Sequence, residues 1–585
     1  MNARQFGPKL TKDGARFRLW APAAKRVDLL LQQPHAMQRG DDGWFSIEIP
    51  GAKAGTRYKF RIDDGIDVPD PASDFQPEDV FGPSEVIDHA AYPWRATDWR
   101  GRPWQEAVII ESHVGTFTQD GSYRAMIEKL DHLVRTGITA LELLPLADFA
   151  GSRNWGYDGV LWYAPDSAYG RPEDLKALID EAHLRGLMVF LDVVYNHFGP
   201  EGNYLGRYAP GFFTETHTPW GSAIDYRAPQ VRAFAIENAL HWLRDYRFDG
   251  LRLDAVNSIV EPGGLSLLND LSMAVGELAA KTGRHVHLVL ENGDNRASIL
   301  DAAQDPPRGK YRAQWNDDYH HAWRVLMTRE KQGYYCDYQR SPLDDIARSL
   351  SSGFVYQGEM SEFRRGKRGE PSGKLAPTAF INFLQNHDQV GNRAFGDRLE
   401  GVARTEAIEA ALAVMLLAPA IPMLFMGEEW GSKTPFPFFC DFKGDLADAV
   451  RKGRRSEYAW AYAEYGDEVP DALALSTFQS AVLDWNERAG PAAQRRLSTV
   501  QQILAIRRRE IVPRLAGAAF GEAKVAGNGL LTASWRMGDG AALRLLANLS
   551  DREIGNTAGE FKGTLIWGNE LGESVPPWSV HWRIG

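Results

Sequence analysis

At 585 residues, with 44% hydrophobic side chains, the chain exceeds one ordinary domain and can build a sizeable core. Its formal charge of −11 argues against nucleic acid or an anionic membrane as the main partner, since both select a basic face, and points to a neutral or cationic ligand. Eighteen Trp, 20 Tyr and 27 Phe serve mostly core packing, with a surplus of aromatic faces suited to sugar rings.

The first residues, MNARQFGPKLTKDG, contain no apolar stretch of the signal-peptide type, so a cytoplasmic protein is expected. Residues 1–93 read as a small β-sandwich: GARFRLWAP, RVDLLLQ, WFSIEIP and TRYKFRID are short alternating strands separated by turn residues. The Pro- and Asp-rich piece 68–88 reads as an ordered linker. From about residue 106 strand and helix patterns alternate, giving a catalytic domain over 94–516. The predicted strands are 107–115, 138–145, 187–194, 250–256, 285–291, 353–359, 380–386 and 421–427, with helical patterns at 173–186, 231–247 and 404–417 between them. Near-continuous apolar strands indicate a parallel sheet, and a count of eight selects a closed (β/α)8 TIM barrel, an α/β fold. No G-x-G-x-x-G follows an early strand to support an open dinucleotide-binding sheet. The apolar run 410–426 approaches membrane-spanning length, but Pro419 and Pro422 break it into a buried helix and a strand. Residues 517–585 return to β, with LLTASWRM, ALRLLANLS and GTLIWG as strands of a small C-terminal sheet domain.

Polar residues gather at the ends of the apolar strands, where barrel enzymes place their chemistry. Asp254 follows LRL, and Arg252, two residues earlier on the same strand face, supplies a cation that holds the carboxylate ionised as a nucleophile requires. Glu291 ends the next strand, where burial and a neighbouring carboxylate raise the pKa of an acid. Asp388 follows the seventh strand beside His387. Asp192 and Asn196 read equally as loop-ordering groups, whereas His197 offers a donor to a substrate hydroxyl. Tyr157 is a stacking platform with Asp158 beside it, and Trp155 reads as packing. Trp430 and FPFFCDF (436–442) are aromatic candidates for the far wall of a cleft, and the basic runs 364–368 and 451–455 read as solvated loops. Asn257, Asn292, Asp294 and Asn295 follow the two catalytic strands and could reach a leaving group. No HExxH, no Walker loop and no nucleophile motif of the Ser or Cys type is present, and Cys336 and Cys440 read as free thiols.

DVVYNH, GLRLDAV, VLEN and QNHD, in that order, resemble the four sequence regions of the α-amylase superfamily, glycoside hydrolase family 13. The resemblance covers essentially the whole chain. It implies Asp254 as nucleophile, Glu291 as general acid/base, Asp388 as a clamp on the sugar ring, and Arg252, His197, His387 and Tyr157 around the substrate. Asp158, Asn257 and Asp294 complete the expected substrate-binding set, with no cofactor and no obligatory metal. Within the family, ESHVGTFT, ELLPLADFAGSRNWGYDGV, PDPASDFQPEDVFGPSEV and MGEEWGSKTPFPFFCDF are similar to hydrolases that release trehalose from trehalose-capped α-1,4-glucans, with water as co-substrate. That implies maltooligosyltrehalose as substrate and a metabolic link to a maltooligosyltrehalose synthase, without a complex between the two enzymes. Glycogen branching enzymes share the sandwich but usually carry a second acid after the catalytic Glu and HDE, where this chain has ENGDN and HDQ. A plain amylase and a non-catalytic glycan-binding protein are the other readings, the last opposed by the presence of all three carboxylates.

Overall fold

The computed structural model describes residues 4–63, 65–218, 220–260, 266–527, 529–557 and 561–585. Its centre is a closed barrel of eight parallel strands: Ile109–Ser112, Ala140–Leu143, Met188–Val193, Gly250–Leu253, His287–Leu290, Ala313–Trp315, Phe380–Asn382 and Ile421–Phe425. The first strand pairs in parallel with both the second and the eighth, which closes the cylinder.

Side-chain alternation along these strands sorts the interior into layers. Ile109, Ala140, Met188, Phe190, Val289, Ala313, Ile381 and Met423 fill the lower barrel with Trp104, whose indole donates to the Thr378 carbonyl at 2.8 Å. Two residues further along the same strand faces stand Glu111, Glu142, Asp192 and Arg252, all buried. An apolar plug therefore carries a charged layer directly beneath the C-terminal mouth.

The sixth strand differs from expectation. Residues 353–358 form no strand, and Glu359–Ser361 belongs to a separate two-stranded ribbon with Gly366–Arg368. The sixth barrel position belongs to Ala313–Trp315. Residues 353–358 have the composition of a strand, but the amides of Val355 and Tyr356 are held by the Asp318 carboxylate at 2.7 and 2.9 Å instead of by a ladder. The helical patterns appear as Pro172–Leu184, Pro229–Asp245 and Thr405–Leu417, and the apolar run divides into that last helix and the eighth strand. No helix among the described residues is long and apolar enough to cross a membrane.

Before the barrel, two antiparallel sheets face each other, one built on Gly14–Trp20 paired with Trp44–Pro50 and one on Val27–Leu30 paired with Arg57–Ile62. The N-terminal arm ties them to the barrel: Arg4 donates to Asp74 at 2.6 Å, and the amide of Gln5 donates to Glu237 on the helix Pro229–Asp245 at 2.8 Å. After the barrel, a five-stranded sheet contains the three expected strands together with Ala519–Val525 and Ser579–Ile584. Trp582 of this sheet donates to Ala413 at 3.2 Å, and Phe520 packs against Phe380.

Gly250 shows how closely the lower layer is filled. A Cβ there would lie 2.6 Å from the His287 carbonyl oxygen and 2.8 Å from the Phe190 ring. Gly250→Ala is expected to destabilise the barrel by about 1–3 kcal/mol through overpacking; a lowered thermal unfolding midpoint checks this.

Candidate active site

The fourth and fifth strands end side by side, so Asp254 and Glu291 emerge next to each other at the mouth. Arg252, fully buried on the fourth strand, reaches three carboxylates: Asp192 at 2.7 Å, Asp254 at 2.6 Å and Glu291 at 3.2 Å. Its guanidinium lies over the Trp315 ring, 4.1 Å from the centroid, which shields it from water. Asp254 receives a second hydrogen bond, on Oδ2, from Asn196 at 2.9 Å. Both sugar-facing carboxylates are thereby fixed in place through one cation.

Glu291 accepts the Ala255 amide on Oε2 at 2.7 Å, the same oxygen that faces Arg252. Ala255 holds this amide in place from a left-handed conformation, φ 40°, which a non-glycine residue adopts only when its surroundings impose it. Burial pushes the Glu291 carboxyl well above the ordinary range, and Asp254, Asp388 and Asp317 add to the shift against the opposing pull of Arg252. The upward shift favours the protonated form, the state a general acid needs. Asp192, bonded by Tyr157 Oη at 2.6 Å, is raised to about 6, mainly by burial. Glu142 in the charged layer has no hydrogen-bond partner on either oxygen, and burial followed by Glu111 and Asp192 raises it well above the carboxylate range.

Across the mouth, His387 and Asp388 open the short helix His387–Gly391. Glu111 grips His387 twice, accepting the backbone amide at 2.9 Å and pairing with Nδ1 at 2.5 Å. Burial opposes charge on this imidazole, but Glu111 and then Asp388 outweigh it and raise the pKa to about 9. Asp388 Oδ1 lies 3.4 Å from His387 Nε2 and is partly exposed to the cleft. Tyr157 stacks on the His387 ring with centroids 5.0 Å apart.

These groups line one cleft of about 650 Å3. It contains Asp254, Glu291, Asp388, His197, His387, Tyr157, Asp158 and Asn257 from the sequence reading. Arg252 lies beneath it. Four expectations are corrected. The ring nitrogens of His197 are engaged by the Tyr157 carbonyl at 2.9 Å and by Asn196, so its imidazole offers no free donor to the cleft. Asp294 is outside the lining and pairs with Arg364 at 2.6 Å. Asn292 and Asn295 are buried, the one accepting the Asp294 amide and the other donating to Asp318. Trp430 is buried against His132 and Trp485, leaving Phe438 as the cleft residue of its segment.

The sequence reading missed Asp317, Trp220, Phe363 and three arginines. Asp317 starts the helix after the true sixth strand and lines the cleft; burial raises it to about 6, with Arg368 opposing. Trp220, exposed and stacked on His197 at 4.9 Å, stands on one wall, and exposed Phe363 also lines the cleft. Arg364, Arg368 and Arg454, assigned to solvated loops, line it too. Spacing could have hinted at Asp317, since QWND repeats the pattern of an apolar strand ending in an acid.

Elsewhere, Asp74, His89 and His241 bring ligand atoms within 4.8 Å of one another. Arg4 already supplies a cation to Asp74 at 2.6 Å, and both His241 nitrogens are bonded, to Asp245 and Tyr163, so this cluster is poorly suited to a metal.

A carboxylate pair joined by a buried arginine, at the mouth of a (β/α)8 barrel behind a β-sandwich, defines an α-amylase-type glycoside hydrolase. The alpha amylase catalytic domain matches residues 92–211, Carbohydrate-binding module 48 (Isoamylase N-terminal domain) matches 5–73, and a domain of unknown function (DUF3459) matches 518–582. A malto-oligosyltrehalose trehalohydrolase of Deinococcus radiodurans is 41% identical over 85% of this chain and 82% of its own length. One from Saccharolobus solfataricus is 40% identical over 82% and 83%. The crystal structure of a Salmonella typhimurium protein described as an α-amylase superposes with a TM-score of 0.94 at 43% identity, over 100% of both chains. The chain belongs to the malto-oligosyltrehalose trehalohydrolase family.

Glu111→Gln removes the charge that outweighs burial at His387. The imidazole resonance of His387 is then expected to titrate at lower pH than in the unsubstituted protein, as followed by NMR.

Proposed function

We propose that this enzyme cleaves the α-1,4-glucosidic bond next to the terminal trehalose unit of maltooligosyltrehalose, releasing trehalose and a maltooligosaccharide with retention of configuration. The reading is carried by one observation: the Asp254 and Glu291 carboxyls both lie against the Arg252 guanidinium, at 2.6 and 3.2 Å. Such sharing favours the close pair, about 5–5.5 Å apart, that a retaining mechanism uses over the wider gap that admits an inverting water. The substrate is taken from the relatives, whose name is malto-oligosyltrehalose trehalohydrolase at about two-fifths identity.

In the first step Asp254 attacks the anomeric carbon of the glucose preceding trehalose while Glu291 gives its proton to the departing glycosidic oxygen. Trehalose leaves, and the glucan is held as an ester on Asp254. Glu291, now a carboxylate, takes a proton from water, which displaces Asp254 and restores the α configuration. Asp388 accepts from the 2- and 3-hydroxyls, with His387 beside it. Tyr157 offers packing for the ring that reacts. Trp220 and Phe363 provide stacking surfaces further out. Such a reaction needs no cofactor, and the enzyme that caps glucans with trehalose supplies its substrate without having to bind this chain.

Incubation with maltotriosyltrehalose should yield trehalose and maltotriose, with maltopentaose cut far more slowly. Equal cutting of both, or branched products, would reassign the chain to amylase or branching chemistry. Asp254→Asn is expected to abolish trehalose release while oligosaccharide binding persists, and Glu291→Gln to lower kcat by about 10²–10⁴. The pH profile has a definite sign. Glu291 must carry its proton in the first step, so kcat/KM falls as pH rises through its raised pKa. Asp317 contributes to that elevation, so Asp317→Asn should move the basic limb of kcat/KM to lower pH.

A further inference from the structure

The opposite end of the barrel holds a second cavity, of about 710 Å3, under the N-terminal ends of the first three strands. Its walls come from residues 102–108, 134–139 and 185–186, which precede those strands, and from 501–516. In barrel enzymes this face normally serves stability and contributes no ligand groups. Here it gathers five arginines, Arg102, Arg135, Arg185, Arg507 and Arg508, against one lining carboxylate, Glu106. That is a local reversal of sign in a chain of net charge −11.

Two of the five are neutralised: Arg102 pairs with Glu106 at 2.7 Å, and Arg185 pairs with Asp131 at 2.7 Å and Glu181 at 2.5 Å. Among the described residues, no carboxylate pairs with Arg135, Arg507 or Arg508. Arg507 is completely buried, and its guanidinium donates only to the carbonyls of Leu416 at 3.1 Å, Ala418 at 2.6 Å and Ala420 at 2.7 Å. Its Nε has no partner. A buried cation without a counter-charge is costly and is stabilised by any anion that enters beside it. Burial alone lowers its pKa to about 9, so it remains charged at neutral pH. A π-helical turn, Arg507–Ile511, carries Arg507 and Arg508 into the wall, and such turns are frequent at functional sites. Val108, Ile138, Leu504 and Val512 add an apolar side.

We propose that this cavity is a binding site for a sugar-sized phosphomonoester. The phosphate would be held by the exposed Arg135 and Arg508, whose planar forks match its oxygens, with the uncompensated charge of Arg507 behind them. The ring would lie against the apolar wall. A volume near 710 Å3 accommodates a ligand of that size, and the distance from the catalytic mouth makes the site separate from glucan hydrolysis.

The test is calorimetric titration of the full-length protein with glucose 6-phosphate, alongside glucose and inorganic phosphate. The same titration is run on the double variant Arg135→Gln, Arg508→Gln. Both side chains are exposed, so unchanged hydrolysis and unfolding temperature are expected for the variant. Saturable binding of glucose 6-phosphate, tighter than phosphate, absent for glucose and weakened about tenfold or more in the variant, is the expected result. No saturable binding at millimolar concentration, or equal binding by both proteins, would overturn the proposal.

Discussion

Everything at the mouth depends on the Arg252 guanidinium. It is sealed under Trp315, bonded to Asp192 and Asp254 and 3.2 Å from Glu291, so one positive charge gathers three acids. In a low-dielectric interior such a cluster holds only if its members compensate one another, and removing one partner from a buried pair typically costs about 3–5 kcal/mol. One guanidinium cannot neutralise three carboxylates, and burial raises Asp192 to about 6 and Glu291 well above the ordinary range. Glu291 has the longest guanidinium contact of the three, at 3.2 Å.

The layers below and around this cluster serve to keep it rigid. The apolar plug from Ile109 to Met423 fills the barrel floor and denies water a route to Arg252 from beneath. Glu111 does for His387 what Arg252 does for the acids, pinning both its backbone and its ring. The flanking sheets bear on the barrel wall, the first through the Gln5–Glu237 contact and the last through Trp582 on the helix Thr405–Leu417.

Much of this was legible in the sequence because the fourth, fifth and seventh strands follow a plain rule, an apolar run that ends in an acid. LRLD, LVLE and FINFLQNHD each carry an acid that lines the cleft. The sixth strand escaped because it has only three residues, AQW, while a better-looking run at 353–359 had its amides taken by the buried carboxylate of Asp318. That displacement also hid Asp317. The arginines at 364, 368 and 454 looked solvated because the sequence conveys charge but not which surface a segment folds against; Arg454 lies on the helix Gly444–Glu457, not on a loop. Arg368, for example, is buried by bonding to the Gly293 carbonyl and to Tyr338. His197 and Asp294 were placed in the right neighbourhood, but their polar atoms had nearer partners.

The two oxygens of Glu291 are not equivalent. Oε2 accepts the Ala255 amide and lies 3.2 Å from the Arg252 guanidinium. A proton on that oxygen would meet the Ala255 N–H, so Oε1 is the oxygen suited to carry one. In the mechanism proposed above, delivery is then directional: the departing oxygen approaches Oε1, and the incoming water loses its proton to the same atom. The left-handed turn at Ala255, unfavourable for its own backbone, is what aims its amide at Oε2 and leaves the other oxygen open.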